Sequence, residues 1–216
     1  MREEVQLAAA DVPQPPPEQE DRAFSDCAIK LITRWEVSGV STYNRKWQGV
    51  VWPGGSSGPT WGIGYDGGHQ TTLDIVRDWK AHPSRTQLKT ASGVIGVAAK
   101  QRLGEWGAVR TPYPYAAEVF ATASLPAYRD SARRALGPNF DTLPVGAQCA
   151  LVSMGYNRGW QMTGERRREL RTIRDECMKD NDVRCIAEQI RASKRLWPDS
   201  RGLRDRRDDE ARVALT

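Results

Sequence analysis

From Ala23 onward, apolar residues return every three or four positions: Phe24, Ala28, Leu31, Ile32 and Trp35. That spacing predicts a helix with one apolar face. Ser25 or Asp26 would cap its start, and the helix should stop near Glu36 to Ser38, ahead of Gly39. The period then changes. Val50 to Trp52 and Thr60 to Tyr65 are short β-prone runs separated by PGGSSGP, which predicts a hairpin with a long glycine-rich tip. Gly62 and Gly64 alternate along the second strand, so one face would lack side chains. Either a backbone or ligand comes close there, or the glycines only permit a bulge. Helical spacing resumes after Thr71 or Thr72 with Leu73, Ile75, Val76 and Trp79. It returns over Leu88 to Leu103, then from near Pro114 through Val119 and Phe120. Pro126 would break or restart that last helix before Tyr128 to Leu136 and the Gly137-Pro138 stop.

The most apolar stretch is LPVGAQCALVSMGYNRGW, Leu143 to Trp160, which predicts the central core helix. Amphipathic helices follow around 164–178, 183–195 and 203–214, with Trp197-Pro198 between the last two. The count is seven to nine helices and one small sheet. This is an α+β chain, mostly α-helical, with a small β-hairpin sheet beside a helical bundle.

Composition adjusts that picture in three places. At 216 residues the chain has length for one sizeable core. Residues 1–22, rich in proline and acidic groups, read as a flexible leader without the basic start and apolar core of a signal peptide, and residues 23–216 as the domain. No run of about 18 apolar residues occurs, so no membrane span is expected. The net charge of +5 suits a polyanion, either nucleic acid or an anionic cell wall, or serves only solubility. No basic patch interleaved with aromatics supports nucleic acid. The alternating charges of RRRELRTIRDE and RDRRDDEAR read as solvated helix faces carrying ion pairs. The four cysteines form no CxxC, and with two histidines in the chain no metal site is expected. Cys177 and Cys185 bracket a polar turn that a disulfide can close, with free thiols the alternative. Whether Cys27 and Cys149 pair is left open.

The candidate chemistry lies between Glu36 and Asp66. One carboxylate ends the first helix, the other follows the hairpin, and Thr60 stands between them. Two carboxylates on opposite sides of a cleft are a common means of hydrolysing a glycosidic bond. Beside Trp35 and Val37, at a helix C-terminus, Glu36 would be kept protonated by desolvation and the helix dipole.

Four separated pieces resemble the phage-type, T4-like lysozymes, a family of muramidases. IKLITRWEVSG is similar to the family's opening helix with its catalytic Glu. Thr60-Trp61-Gly62-Ile63-Gly64-Tyr65 stands where the family has Thr-Ile-Gly-x-Gly-His. Gln148 to Gly159 resembles its QxALVSFxFNxG helix, and Gly202 to Glu210 its closing Gly-Leu-x-x-Arg-Arg stretch, with one residue added. The pieces fall in family order over most of residues 28–215. Two departures stand out: no Asp or Glu lies between Glu36 and Thr60, and Tyr65 replaces the usual His. Asp66 is similar in position to the Asp of pesticin-like activity domains.

The resemblance implies a lysozyme-like fold and hydrolysis of peptidoglycan between N-acetylmuramic acid and N-acetylglucosamine, without a cofactor. It implies Glu36 as general acid, Thr60 as holder of the attacking water and Asp66 as general base or electrostatic partner. Around these, Tyr43, Trp61 and Tyr65, together with Tyr156, Asn157 and Arg158 at the core-helix end, are the expected substrate contacts; Asn157 as a helix cap is the alternative. Trp47 and Trp52 also flank the cleft. The expected partners are glycan strands, met by a monomer in the periplasm or at the wall, with a delivery or immunity protein if it is a toxin. The competing readings are a chitinase-like glycosidase and an inactive wall-binding module.

Overall fold

The computed structural model describes residues 17–216. In chain order these form α1 (Pro17–Glu36), α2 (Val40–Lys46), β1 (Thr60–Trp61), β2 (Tyr65–Asp66), α3 (Thr72–Asp78), α4 (Arg85–Leu88), α5 (Gly96–Arg102), α6 (Tyr113–Val119), α7 (Leu125–Leu136), α8 (Val145–Arg158), α9 (Arg168–Asp175), α10 (Val183–Ala192) and α11 (Arg201–Val213). The described chain is mostly helical with one small antiparallel sheet. None of its helices is long and apolar enough to cross a membrane.

The stretch α8 is buried on every side over Gly146 to Gly155, as a helix with no polar face must be. Against it pack α1, α7, α10 and α11. Phe24, Ala28, Leu31 and Ile32 of α1 enter this core on the predicted face. A disulfide, Cys27–Cys149, joins α1 to α8 with Cα atoms 6.1 Å apart. A second, Cys177–Cys185, closes the turn between α9 and α10. In both cases the pair is bonded.

A smaller core gathers Trp61, Tyr65, Ile75, Trp79, Leu88 and Trp106. Tyr65 meets the Trp79 ring edge-on at 5.4 Å, a favoured aromatic geometry. Val119 belongs to this core and Phe120, the next residue, to the larger one. The helical run from α6 to α7 therefore ties the two together. It passes Pro126 without a break, through a wider π turn at Phe120–Ser124.

Four expectations need correction. Helix α1 covers Pro17–Glu36, so residues 17–22 are helical rather than leader, and Ser25 and Asp26 lie inside the helix rather than capping it; Asp21 binds Arg129 of α7 at 2.5 Å. Residues 1–16 of the expected leader lie outside the described residues. The helix expected over Leu88 to Leu103 divides, because Ser92 Oγ and Gly93 N donate to the carbonyls of Gln70 and Gly68 instead. The hairpin turns at Gly62-Ile63-Gly64, and Val51 meets Thr60 in a single bridge. Finally, α11 is no solvated face: Arg206, Arg207, Asp209 and Glu210 are all buried.

Candidate active site

Helix α1 stops at Glu36 because Ser38 and Gly39 take positive φ, 56° and 85°, and Gly39 N doubles back at 3.4 Å to the Thr33 carbonyl that already accepts the last helical bond from Val37 N. This leaves the Glu36 side chain projecting from the helix end, 30% exposed. Of the expected apolar neighbours, Val37 lines the cleft with Glu36 and Trp35 does not. The Trp35 indole turns away to Asp209 Oδ2 at 3.0 Å, and Arg206 Nη1 donates to Glu36 Oε1 at 2.5 Å. Arg206 is itself fixed by Glu210 Oε1, 3.0 Å from Nε, and by the Ser153 carbonyl, 3.2 Å from Nη2.

Across from Glu36, the hairpin sorts its side chains by alternation. Thr60 opposes Asp66, and Trp61 opposes Tyr65. Gly67 N donates to Pro59 O at 3.0 Å, so Thr60 and Asp66 are a non-hydrogen-bonded pair with side chains close together on one face. Trp61 and Tyr65 take the other face and enter the smaller core. The tight turn places Gly62 and Gly64 at φ 63° and 70°, where a side chain would be strained. A Cβ on Gly64 would also run into the Tyr156 hydroxyl.

The resulting cleft, about 140 Å³, is lined by Glu36, Trp47, Val51, Thr60, Gly64 and Tyr156 among others. The Thr60 hydroxyl donates to Gly58 O at 3.1 Å, leaving its lone pairs to accept. Asp66 does not line this cleft. Its Oδ1 accepts from Gly58 N at 3.0 Å and Gly68 N at 3.1 Å, and Oδ2 shares the Gly58 donor at 3.1 Å. Among the described residues Oδ2 has no other donor within hydrogen-bond reach, the His69 Nε2 being 3.9 Å away. The Tyr128 phenol pKa is raised, first by burial and then by the Glu36 and Asp66 carboxylates. Its ring packs on Tyr156 at 4.7 Å.

A larger groove of about 900 Å³ runs along α1 past Leu31 and Val40. Its carboxylate, Asp209, is spent on Arg34, Trp35 and Arg212. The Glu36 cleft is the better chemical candidate.

Several expected substrate contacts lie elsewhere. Tyr43 is fully buried, and its hydroxyl donates to Thr111 O at 2.8 Å, with burial raising its pKa. Trp61 borders the Glu36 cleft but is 1% exposed, with its side chain in the smaller core; Tyr65 is core and outside the cleft, and burial and the Asp78 hydrogen bond raise its pKa. Asn157 and Arg158 follow Tyr156 on α8 but, one and two helical steps round, they line a separate depression. Asn157 does not end the helix, which runs through Arg158 to Gly159, and its Oδ1 accepts from Arg207 at 3.3 Å. Of the flanking tryptophans, Trp47 is 43% exposed and lines the cleft.

Arg206 and Tyr128 were given no role by sequence reasoning. A helical stripe of Leu203, Arg207, Glu210, Ala211 and Ala214 held the available signal, since it places Arg207 and Glu210 at core positions. Full burial raises the Glu210 pKa against the pull of Arg207 and Arg206, and burial lowers that of Arg207. The chain matches no family model and no curated protein.

Proposed function

We propose that the Glu36 cleft hydrolyses the β-1,4 glycosidic bond between N-acetylmuramic acid and N-acetylglucosamine in peptidoglycan. The observation that carries this reading is the meeting of Glu36 and Thr60 in one cleft, from a helix end and a hairpin. With Oε1 held by Arg206, Glu36 Oε2 is the atom to pass a proton to the leaving sugar oxygen. Thr60 Oγ1 accepts a hydrogen bond from the attacking water. The water oxygen bonds to the anomeric carbon as the bond from that carbon to the leaving oxygen breaks, and its proton reaches Asp66, which shares the ribbon face of Thr60 but stands outside the cleft lining, by way of a second water at Oδ2. The exposed Trp47 ring offers a stacking face for a sugar. The lysozyme-like fold implied by the sequence resemblance is part of the same proposal.

The backbone donors that occupy Asp66 favour one alternative, a module that binds the wall without cutting it. Purified protein incubated with peptidoglycan decides between them. Hydrolysis releases reducing ends and clears turbidity, and Glu36→Gln lowers the rate by about 100-fold or more with an unchanged melting curve, since the amide still accepts from Arg206. Full clearing by Glu36→Gln sinks the assignment. Binding by the wild type without reducing ends supports the module, and faster cleavage of chitin oligomers than of peptidoglycan moves the substrate to chitin.

A further inference from the structure

Past Tyr156, the end of α8 leaves the Glu36 cleft and enters a second depression of about 560 Å³, lined by Asn157, Arg158, Thr163, Arg166, Arg167 and Trp197. Its lining includes one carboxylate, Glu165, which is engaged by Arg168 at 3.2 Å and Arg195 at 3.4 Å. Arg158, Arg166 and Arg167 therefore make no ion pair among the described residues. Arg158 gives one terminal nitrogen to the Arg166 carbonyl, while its buried Nη1 has no partner. Behind it lies Arg207, wholly buried, with Nε and Nη1, like Arg158 Nη1, unpartnered among the described residues. The guanidinium carbons of Arg158 and Arg207 both stand 5.4 Å from the Trp197 ring centre. Burial, with Arg167 and Arg207 close by, pushes Arg158 down to about 10.

Three arginines converge where the nearby carboxylates, Glu165 and Glu169, are already held by Arg168 and Arg195, over a fourth arginine that has only part of one, and this leaves an excess of positive charge. Leaving buried donors of this kind unpaired is costly. We propose that this depression binds a phosphate group. A carboxylate satisfies one guanidinium fork, whereas phosphate brings about −1.5 to −2 charges and three acceptor oxygens, enough for guanidinium groups arriving from two chain segments. Free orthophosphate and a phosphate carried on a larger molecule present the same chemistry. The site is independent of hydrolysis in the neighbouring cleft.

Calorimetric titration of the full chain with inorganic phosphate and with glycerol phosphate, ionic strength balanced by chloride, tests this. The expected result is saturable one-to-one binding, weakened about tenfold by Arg166→Gln or Arg167→Gln. Arg85→Gln, the same charge change at an exposed site on α4, leaves it unaltered. Arg158→Gln, checked by its melting curve, weakens binding at least as much. Tighter binding of glycerol phosphate assigns the site to a carried group, and tighter binding of inorganic phosphate to the free ion. Heats no larger than those of chloride, or equal weakening by all of the Arg→Gln variants, overturn the proposal.

Discussion

Asp66 carries two loads that can be separated. Its carboxylate accepts from Gly58 N and Gly68 N, both on buried residues. Asp66→Ala strands both donors, at about 1–3 kcal/mol each, and urea unfolding should show that loss whatever the catalytic role. Asp66→Asn keeps an oxygen to accept both bonds. Near-wild-type stability with lost hydrolysis in the Asn variant would mark Asp66 as the base. Retained hydrolysis would leave it a latch of the hairpin. At this scale Glu36 was legible because it ends an apolar stripe just before Ser38-Gly39. Arg206 was not, because an arginine in an acidic and basic run looks the same whether its partner is solvent or a buried glutamate. Only the fold brings Glu36 and Arg206, 170 residues apart, together.

At the scale of elements, the segment after α3 is pinned by His82. Ser84 N donates to His82 Nδ1 at 3.1 Å, so the proton sits on Nε2 and is donated to Arg110 O at 3.2 Å. This neutral tautomer is buried, and burial lowers the pKa. Protonation would break the Ser84 bond. The unfolded chain therefore takes up a proton first as pH falls. The stability His82 contributes is full above the ordinary imidazole value of about 6.5 and is lost below it, down through the lowered folded value. Unfolding free energies measured between these limits should fall with pH, and less steeply in His82→Gln; equal slopes would reject the assignment. The periodicities of α3, α8 and the C-terminal helices were readable, as was the Thr71 cap, which accepts from Asp74 N. The hairpin was misplaced because PGGSSGP has the stronger turn composition. The tighter turn at Gly62-Ile63-Gly64 is selected by packing, with Trp61 and Tyr65 driven into the Trp79 cluster.

The described residues form two cores joined by the run from α6 to α7, with the cleft lined from both sides. The mostly helical α+β class followed from periodicity. The division into two cores did not, since Val119 and Phe120 are adjacent apolar residues in sequence that serve different cores. The two disulfides act on very different lengths of chain. Cys27–Cys149 spans 122 residues and Cys177–Cys185 spans 8. Loop-closure entropy then favours the long bridge, at about 5 against about 2.5 kcal/mol. Thermal unfolding of the paired Cys27→Ala, Cys149→Ala protein should show the larger drop, and the Cys177→Ala, Cys185→Ala protein the smaller. The reverse order would mean that local geometry outweighs chain entropy.

The long bridge joins the helix that carries Glu36 to the helix that carries Tyr156, so it spans the rear of the cleft's helical wall. In a reducing compartment these thiols stay apart, and the chain lacks that tether. The same polypeptide is then a softer object before oxidation, easier to unravel or to pull through a narrow channel, and a stiffer one afterwards. Its mechanical toughness is set by where it is, with no change in sequence.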